Sequence, residues 1–172
     1  MYLAGGSNAF LIQLQHNFPT IQSSTGNMKP IPNDIFFAQV ASELAAGRTV
    51  SFKVKGNSMF PLLRSDKDIV FVAPVNQPVV KKDVVLFYHK GRHVLHRVIK
   101  ISGNLYTIQG DGVYASREYC TGEDIIGVVT HIARGGGERI PLKSFRYRLY
   151  SNFWCATSFA KKYMLYILRK LI

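Results

Sequence analysis

A chain of 172 residues that is 47% hydrophobic and 19% charged suits one domain burying its own core, and excludes an intrinsically disordered protein. Its net charge of +12 is uneven: from Leu142 onward there are seven Lys/Arg and no Asp or Glu, leaving 15 basic against 10 acidic residues elsewhere. Two cysteines, Cys120 and Cys155, exclude a disulfide framework and lack zinc-knuckle spacing, and neither a signal peptide nor an apolar run of spanning length is present.

Residues 1–32 are rich in Gly, Ser, Asn and Pro and read as a poorly ordered arm, with a short strand near Phe10–Leu14. A helix is expected next, capped by Asn33, with Asp34 at its positive end and Gly47 closing it. Phe36, Val40 and Leu44 recur every four residues and give it one packing face. From Thr49 the period becomes that of strands. Val50, Phe52 and Val54 alternate with Ser51, Lys53 and Lys55, and Ile69–Ala73, Val84–Tyr88, His93–Ile101, Leu105–Gln109 and Ile125–Ala133 follow as β-rich runs. Gly103-Asn104 is a hairpin signal and Gly135-Gly136-Gly137 a turn. The centre is therefore expected to be antiparallel β structure of about six strands. After Pro141, eight aromatics are interleaved with the seven cations and no Gly or Pro intervenes, so one or two helices are expected.

Three segments each set a reactive side chain at the end of a strand. In Val54-Lys55-Gly56-Asn57-Ser58-Met59-Phe60-Pro61, Gly56 lets the chain turn sharply and Pro61 restricts Phe60, constraining the backbone around Ser58. A serine hydroxyl becomes a nucleophile only when a base takes its proton. Val94–Ile99 carries His96 within a β-branched strand, and Gly110-Asp111-Gly112 ends another. If those strands pair through Gly103-Asn104, His96 and Asp111 come within bonding reach. Each segment also has a purely structural reading, as a polar turn, a packed histidine and a turn-forming aspartate.

The run V-x-G-x-S-M-x-P at 54–61 resembles the nucleophile box of signal peptidases and self-cleaving LexA-type repressors. Asp68-Ile69-Val70, Lys82-Asp83-Val84-Val85-Leu86-Phe87, His96-Arg97-Val98-Ile99, Gly110-Asp111 and Asp124-Ile125-Ile126-Gly127 are similar, in order, to the boxes that follow. The histidine box is that of archaeal and endoplasmic-reticulum signal peptidases, where histidine replaces a lysine base. The resemblance covers residues 47–134. It implies a compact, mainly β, antiparallel LexA/signal-peptidase-like fold, to which the residues outside it add the expected N-terminal helix and basic aromatic helical tail. It also implies a serine endopeptidase with Ser58 as nucleophile, His96 as base and Asp111 orienting the imidazole. The backbone of Gly56, Asn57 and Ser58 would shape the oxyanion hole, and Met59 and Phe60 the substrate pocket. Three departures stand out: Gly56 replaces the serine of many signal peptidases, Gly112-Val113 replaces an asparagine after Asp111, and neither a membrane anchor nor a helix-turn-helix precedes the core.

Lys55 and Lys100 are alternative bases, whereas Arg97 does not deprotonate. His89, His93 and His96 lack the Cys, Asp or Glu that would complete a metal shell, and no metal or cofactor is expected. Three parts follow: an arm at 1–32, a peptidase domain at 33–141 and a tail at 142–172. The tail packs its aromatics on the β body, lies in the interface of an anionic membrane, or binds single-stranded nucleic acid. No specific nucleic-acid partner is expected, and the partner is a peptide or protein substrate. The expected location is cytoplasmic, peripheral on the inner membrane face if the tail is interfacial. Rival functions are a self-cleaving LexA-like regulator, with Ala4-Gly5 as scissile pair, and a non-catalytic peptide-binding module.

Overall fold

The computed structural model of the protein describes residues 32–157 and 160–171, without the side chains of Arg169 and Leu171. The arm, its strand near Phe10–Leu14 and the Ala4-Gly5 pair lie outside the described residues, Pro32 excepted.

Helix α1 spans Asn33–Ala45 and buries Phe36, Val40 and Leu44, the face that the four-residue spacing predicts. Its N-cap is Pro32, so Asn33 is the first helical residue and makes no cap. Gly47 follows at φ 77°, and its N–H donates to the Leu44 carbonyl.

Strands β1 (Val50–Lys53), β2 (Ile69–Ala73), β3 (Val84–His89), β4 (Arg92–Ser102), β5 (Leu105–Gln109), β6 (Glu118–Thr121), β7 (Ile125–Ala133) and β8 (Arg139–Pro141) form one antiparallel sheet. The strand order is β1-β2-β7-β3-β4-β5-β6, with β8 beside β7. Eight strands replace the expected six because β6 and β8, four and three residues long, are too short to establish a period. Val84 and Leu86 of β3 pack with α1, β1 and β2, while Val85 and Phe87 pack with Val98 of β4, Ile108 of β5 and Cys120 of β6. Burial on both faces explains why β3 reads as a continuous apolar run. Cys120 and Cys155 are free thiols.

Helices α2 (Phe145–Ala156) and α3 (Lys161–Leu171) complete the chain. The Ser144 side chain caps α2 by accepting from the Tyr147 N–H. Trp154 of α2 and Leu165 of α3 are buried against Phe60. The two helices are thus joined to the body through the segment that carries Ser58.

Candidate active site

The turn bearing Ser58 is built from backbone. Gly56 takes φ 90°, a conformation that costs side-chain-bearing residues most, and its N–H donates to Ser65 Oγ at 3.0 Å. The Phe60 N–H donates to the Asn57 carbonyl, and the Phe60–Pro61 peptide is cis. Asp68, fully buried, staples the far end of the loop. It accepts from two guanidinium nitrogens and the backbone N–H of Arg64, together with the Gly135 N–H. Burial pushes the Asp68 carboxyl up, but these bonds outweigh it and hold it below the usual carboxylate range.

The loop Gly110-Asp111-Gly112 clasps this turn from the other side. The Gly112 N–H donates to the Ser58 carbonyl at 2.7 Å. A Cβ at Gly110 would lie 2.3 Å from the Ser58 carbonyl oxygen and 2.9 Å from His96 Nε2, and one at Gly112 would lie 2.2 Å from the Asn57 carbonyl oxygen. Both glycines are therefore required by close approach. Gly110 fixes the neighbourhood of the imidazole edge and the nucleophile turn, since both lie within 3 Å of its one missing carbon.

His96 is buried on β4. Arg97 pairs with Gln109, and Val98 with Ile108, and just beyond that register Gly110 comes beside the His96 imidazole. Ile108 in turn pairs with Glu118 of β6. Cross-strand partners share a face, so His96, Val98, Ile108 and Glu118 all project to one side. There His96 Nδ1 lies 2.6 Å from Glu118 Oε2. An ionised carboxylate only accepts, so Nδ1 carries a proton, and in the neutral imidazole the lone pair is the one on Nε2. Nε2 is buried and makes no hydrogen bond among the described residues. Burial pushes the Glu118 carboxyl up, and the bond and charge of His96, helped by His89 and Arg92, pull it below the usual range.

Asp111 does not serve His96. Neighbours along a strand face opposite ways, and it is Arg97 whose side chain meets Asp111. Arg97 Nε donates to Asp111 Oδ1 at 2.8 Å and Nη2 to Oδ2 at 2.6 Å, with both side chains fully buried. Arg97 Nη1 also donates to Tyr147 Oη at 2.7 Å, Ser151 Oγ at 2.8 Å and the Lys82 carbonyl. Tyr150 donates to Asp111 Oδ2 and the Trp154 indole N–H to the Asp111 carbonyl. Burial would lower the Arg97 pKa, but Asp111 raises it beyond the ordinary guanidinium value. The Tyr147 hydroxyl is pushed up to about 12, by burial first. The expected Ser–His–Asp contact is thus corrected: the carboxylate on the imidazole is Glu118, and Asp111 belongs to a buried network tying the loop to α2.

A cleft of about 660 Å³ is bordered by Ser58, His96 and Glu118, with Lys55, Gly56, Met59 and the first residues of α1, Asn33 and Asp34. Met59 borders it as well. Phe60 does not, because it packs against Trp154 and Leu165. The Gly56 amide is engaged by Ser65, and the Asn57 carbonyl is turned toward Gly112. Of the alternative bases, Lys55 borders the cleft, while Lys100 is exposed and lies outside its lining. His93 also borders the cleft, stacked on Phe37 with centroids 4.9 Å apart. No group of three or more His, Cys, Asp or Glu side chains suited to a metal occurs among the described residues.

The contact of Glu118 with His96 is not legible in the sequence because β6 is not. The only hint is the β-forming Tyr119-Cys120-Thr121 between Ser116-Arg117 and Gly122. No curated protein matches the chain. The sequence pattern of Peptidase S24-like proteins matches residues 11–130, which include Ser58, His96 and Glu118. With that match spanning more than half its length, the chain belongs to the Peptidase S24-like family.

Proposed function

We propose that the protein is a serine endopeptidase in which Ser58 is the nucleophile, His96 the general base and Glu118 the carboxylate that orients it. One observation carries this reading: a buried imidazole with Nδ1 on Glu118 and an unpartnered Nε2 beside the Ser58 turn, at the edge of an open cleft. Ser58 Oγ attacks the peptide carbonyl while Nε2 takes its proton. The tetrahedral intermediate collapses, the C–N bond breaks, and Nε2 gives the proton to the leaving amine. Water then loses a proton to Nε2 and attacks the Ser58 ester; the C–Oγ bond breaks, the acid is released and Nε2 returns the proton to Ser58 Oγ. The Ser58 N–H serves the oxyanion, since the Gly56 amide is engaged elsewhere. Glu118 holds the tautomer and steadies the imidazolium. A histidine base makes the site resemble the archaeal type of signal peptidase more than the lysine type.

A second reading, self-cleavage, is favoured by the position of Asn33 and Asp34. The chain passes into α1 at the rim of the same cleft, so a segment preceding the helix has a short path to Ser58. A fluorophosphonate probe separates catalysis from mere peptide binding. Stoichiometric labelling of the native chain and none of Ser58→Ala is expected, and an unlabelled, folded native chain overturns the proposal. Intact mass over time at two protein concentrations then tells the modes apart. Processing at a rate independent of concentration marks cleavage in cis.

A further inference from the structure

The tail divides into an inward and an outward face. On α2 the inward face carries Tyr147, Tyr150, Ser151 and Trp154, all engaged with Arg97 or Asp111. Those bonds fix the rotation of the helix about its axis and so fix what faces out. Outward stand Phe145, Leu149 and Phe153, four residues apart on one stripe and 74%, 53% and 58% exposed. Arg146 and Arg148, both exposed, flank that stripe on either side. On α3, Leu165 is buried, while Tyr163, Tyr166, Ile167 and Lys170 recur at helical spacing on an exposed face with Lys162 beside it. Soluble surfaces rarely leave so many large apolar side chains in rows.

We infer that the outward face of α2 and α3 docks on an anionic lipid surface, its apolar stripes entering the headgroup boundary and its cations meeting lipid phosphates. The chemistry of the face selects this partner. Residues 142–172 contain no acid, so a second copy would bring cations against cations. Leu149 and Ile167 gain little from a nucleic-acid strand, which rewards stacking and phosphate contact alone. A bilayer interface takes both halves of the pattern, aliphatic and aromatic side chains below and Lys/Arg above. No described helix is long and apolar enough to cross a membrane, so the helices lie on the surface.

The test uses the full chain and co-sedimentation with phosphatidylcholine vesicles with and without phosphatidylglycerol. Binding is expected only with the anionic lipid and should weaken as salt rises. Arg146→Ala with Arg148→Ala should weaken it by roughly 25-fold, about fivefold for each cation near the surface. The triple variant Phe145→Ser, Leu149→Ser and Phe153→Ser should lose binding while keeping its melting temperature and its reaction with the fluorophosphonate probe. That probe reports the proposed chemistry separately from lipid binding. Equal pelleting with neutral vesicles, or native-like binding by the folded triple variant, overturns the inference. So does a dimer that the triple variant dissolves without any vesicle binding, or capture by a single-stranded oligonucleotide in preference to vesicles.

Discussion

Nδ1 of His96 lies 2.6 Å from Oε2 of Glu118, although β5 separates their two strands in the sheet. Where β5 ends, Gly110 has no side chain to fill the space beside the imidazole, and a Cβ there would stand 2.9 Å from Nε2. The pair therefore depends on a missing carbon as much as on its own two side chains. Gly110→Ala should displace either the imidazole or the Ser58 carbonyl. Overpacking of this kind costs about 1–3 kcal/mol of stability. The rate should also fall, on the order of 100-fold, since small misplacements of reacting groups are that costly. Single-turnover acylation beside a thermal melt measures both.

Ser58→Ala and His96→Ala should each abolish acylation, and the double variant should be little worse, because such groups act as a unit. Lys55→Ala and Lys100→Ala should remain active. An inactive, folded Lys55→Ala beside an active His96→Ala would move the base to the lysine that borders the cleft.

Much of the fold is legible from strand-forming runs and turn signals. The limits of β2, β5 and β7 follow from their β-branched runs, and the Gly103-Asn104 hairpin joins β4 to β5 as its composition predicts. The carboxylate that contacts His96 is not legible in the sequence, for a physical reason. β6 buries only Cys120 of its four residues, so it has no period to read, and Glu118 stays hidden with it. Asp111, next to a visible strand end, then takes the vacant role. Its true partner, Arg97, is set by which face of β4 looks toward α2, a tertiary fact that sequence spacing does not carry. The aspartates of the other recurring boxes prove to be turn builders. Asp68 staples the loop after Ser58, Asp83 accepts from the Val80 N–H, and Asp124 accepts from Thr121.

Removal of residues after Leu142 should not yield a working core. It strips Tyr147, Ser151 and Trp154 from Arg97 and Asp111 and uncovers Phe60. The truncated chain should aggregate or melt early, and Trp154→Ala alone should cost about 3–5 kcal/mol. A soluble truncation with the native melting temperature would show that α2 is dispensable.

Acid should unfold the protein partly through Asp68. Its folded pKa is depressed by Arg64 and the backbone donors against the effect of burial, so between the folded and unfolded values the unfolded chain binds more protons. Stability from this group is complete above the ordinary carboxylate pKa of about 3.9 and fades as pH falls through the folded value. Urea midpoints measured down a pH series should fall on that limb, and Asp68→Asn should flatten it while lowering stability at neutral pH. Asp83 works with the opposite sign, since burial raises its carboxyl, and its substitution should leave the acid limb in place.

In the proposed mechanism Glu118, and not Asp111, orients the base, and one paired comparison decides between them. Fluorophosphonate acylation rates and melting temperatures are compared for Glu118→Gln and Asp111→Asn. Glu118→Gln should acylate at least 100-fold more slowly while melting near the native temperature, the behaviour of a tautomer-setting residue. Asp111→Asn should lose on the order of 3–5 kcal/mol of stability, because it leaves the buried Arg97 without its counter-charge. Whatever fraction remains folded should acylate at close to the native rate. A Glu118→Gln enzyme with native rate, beside a well-folded and inactive Asp111→Asn, would return the orienting role to Asp111.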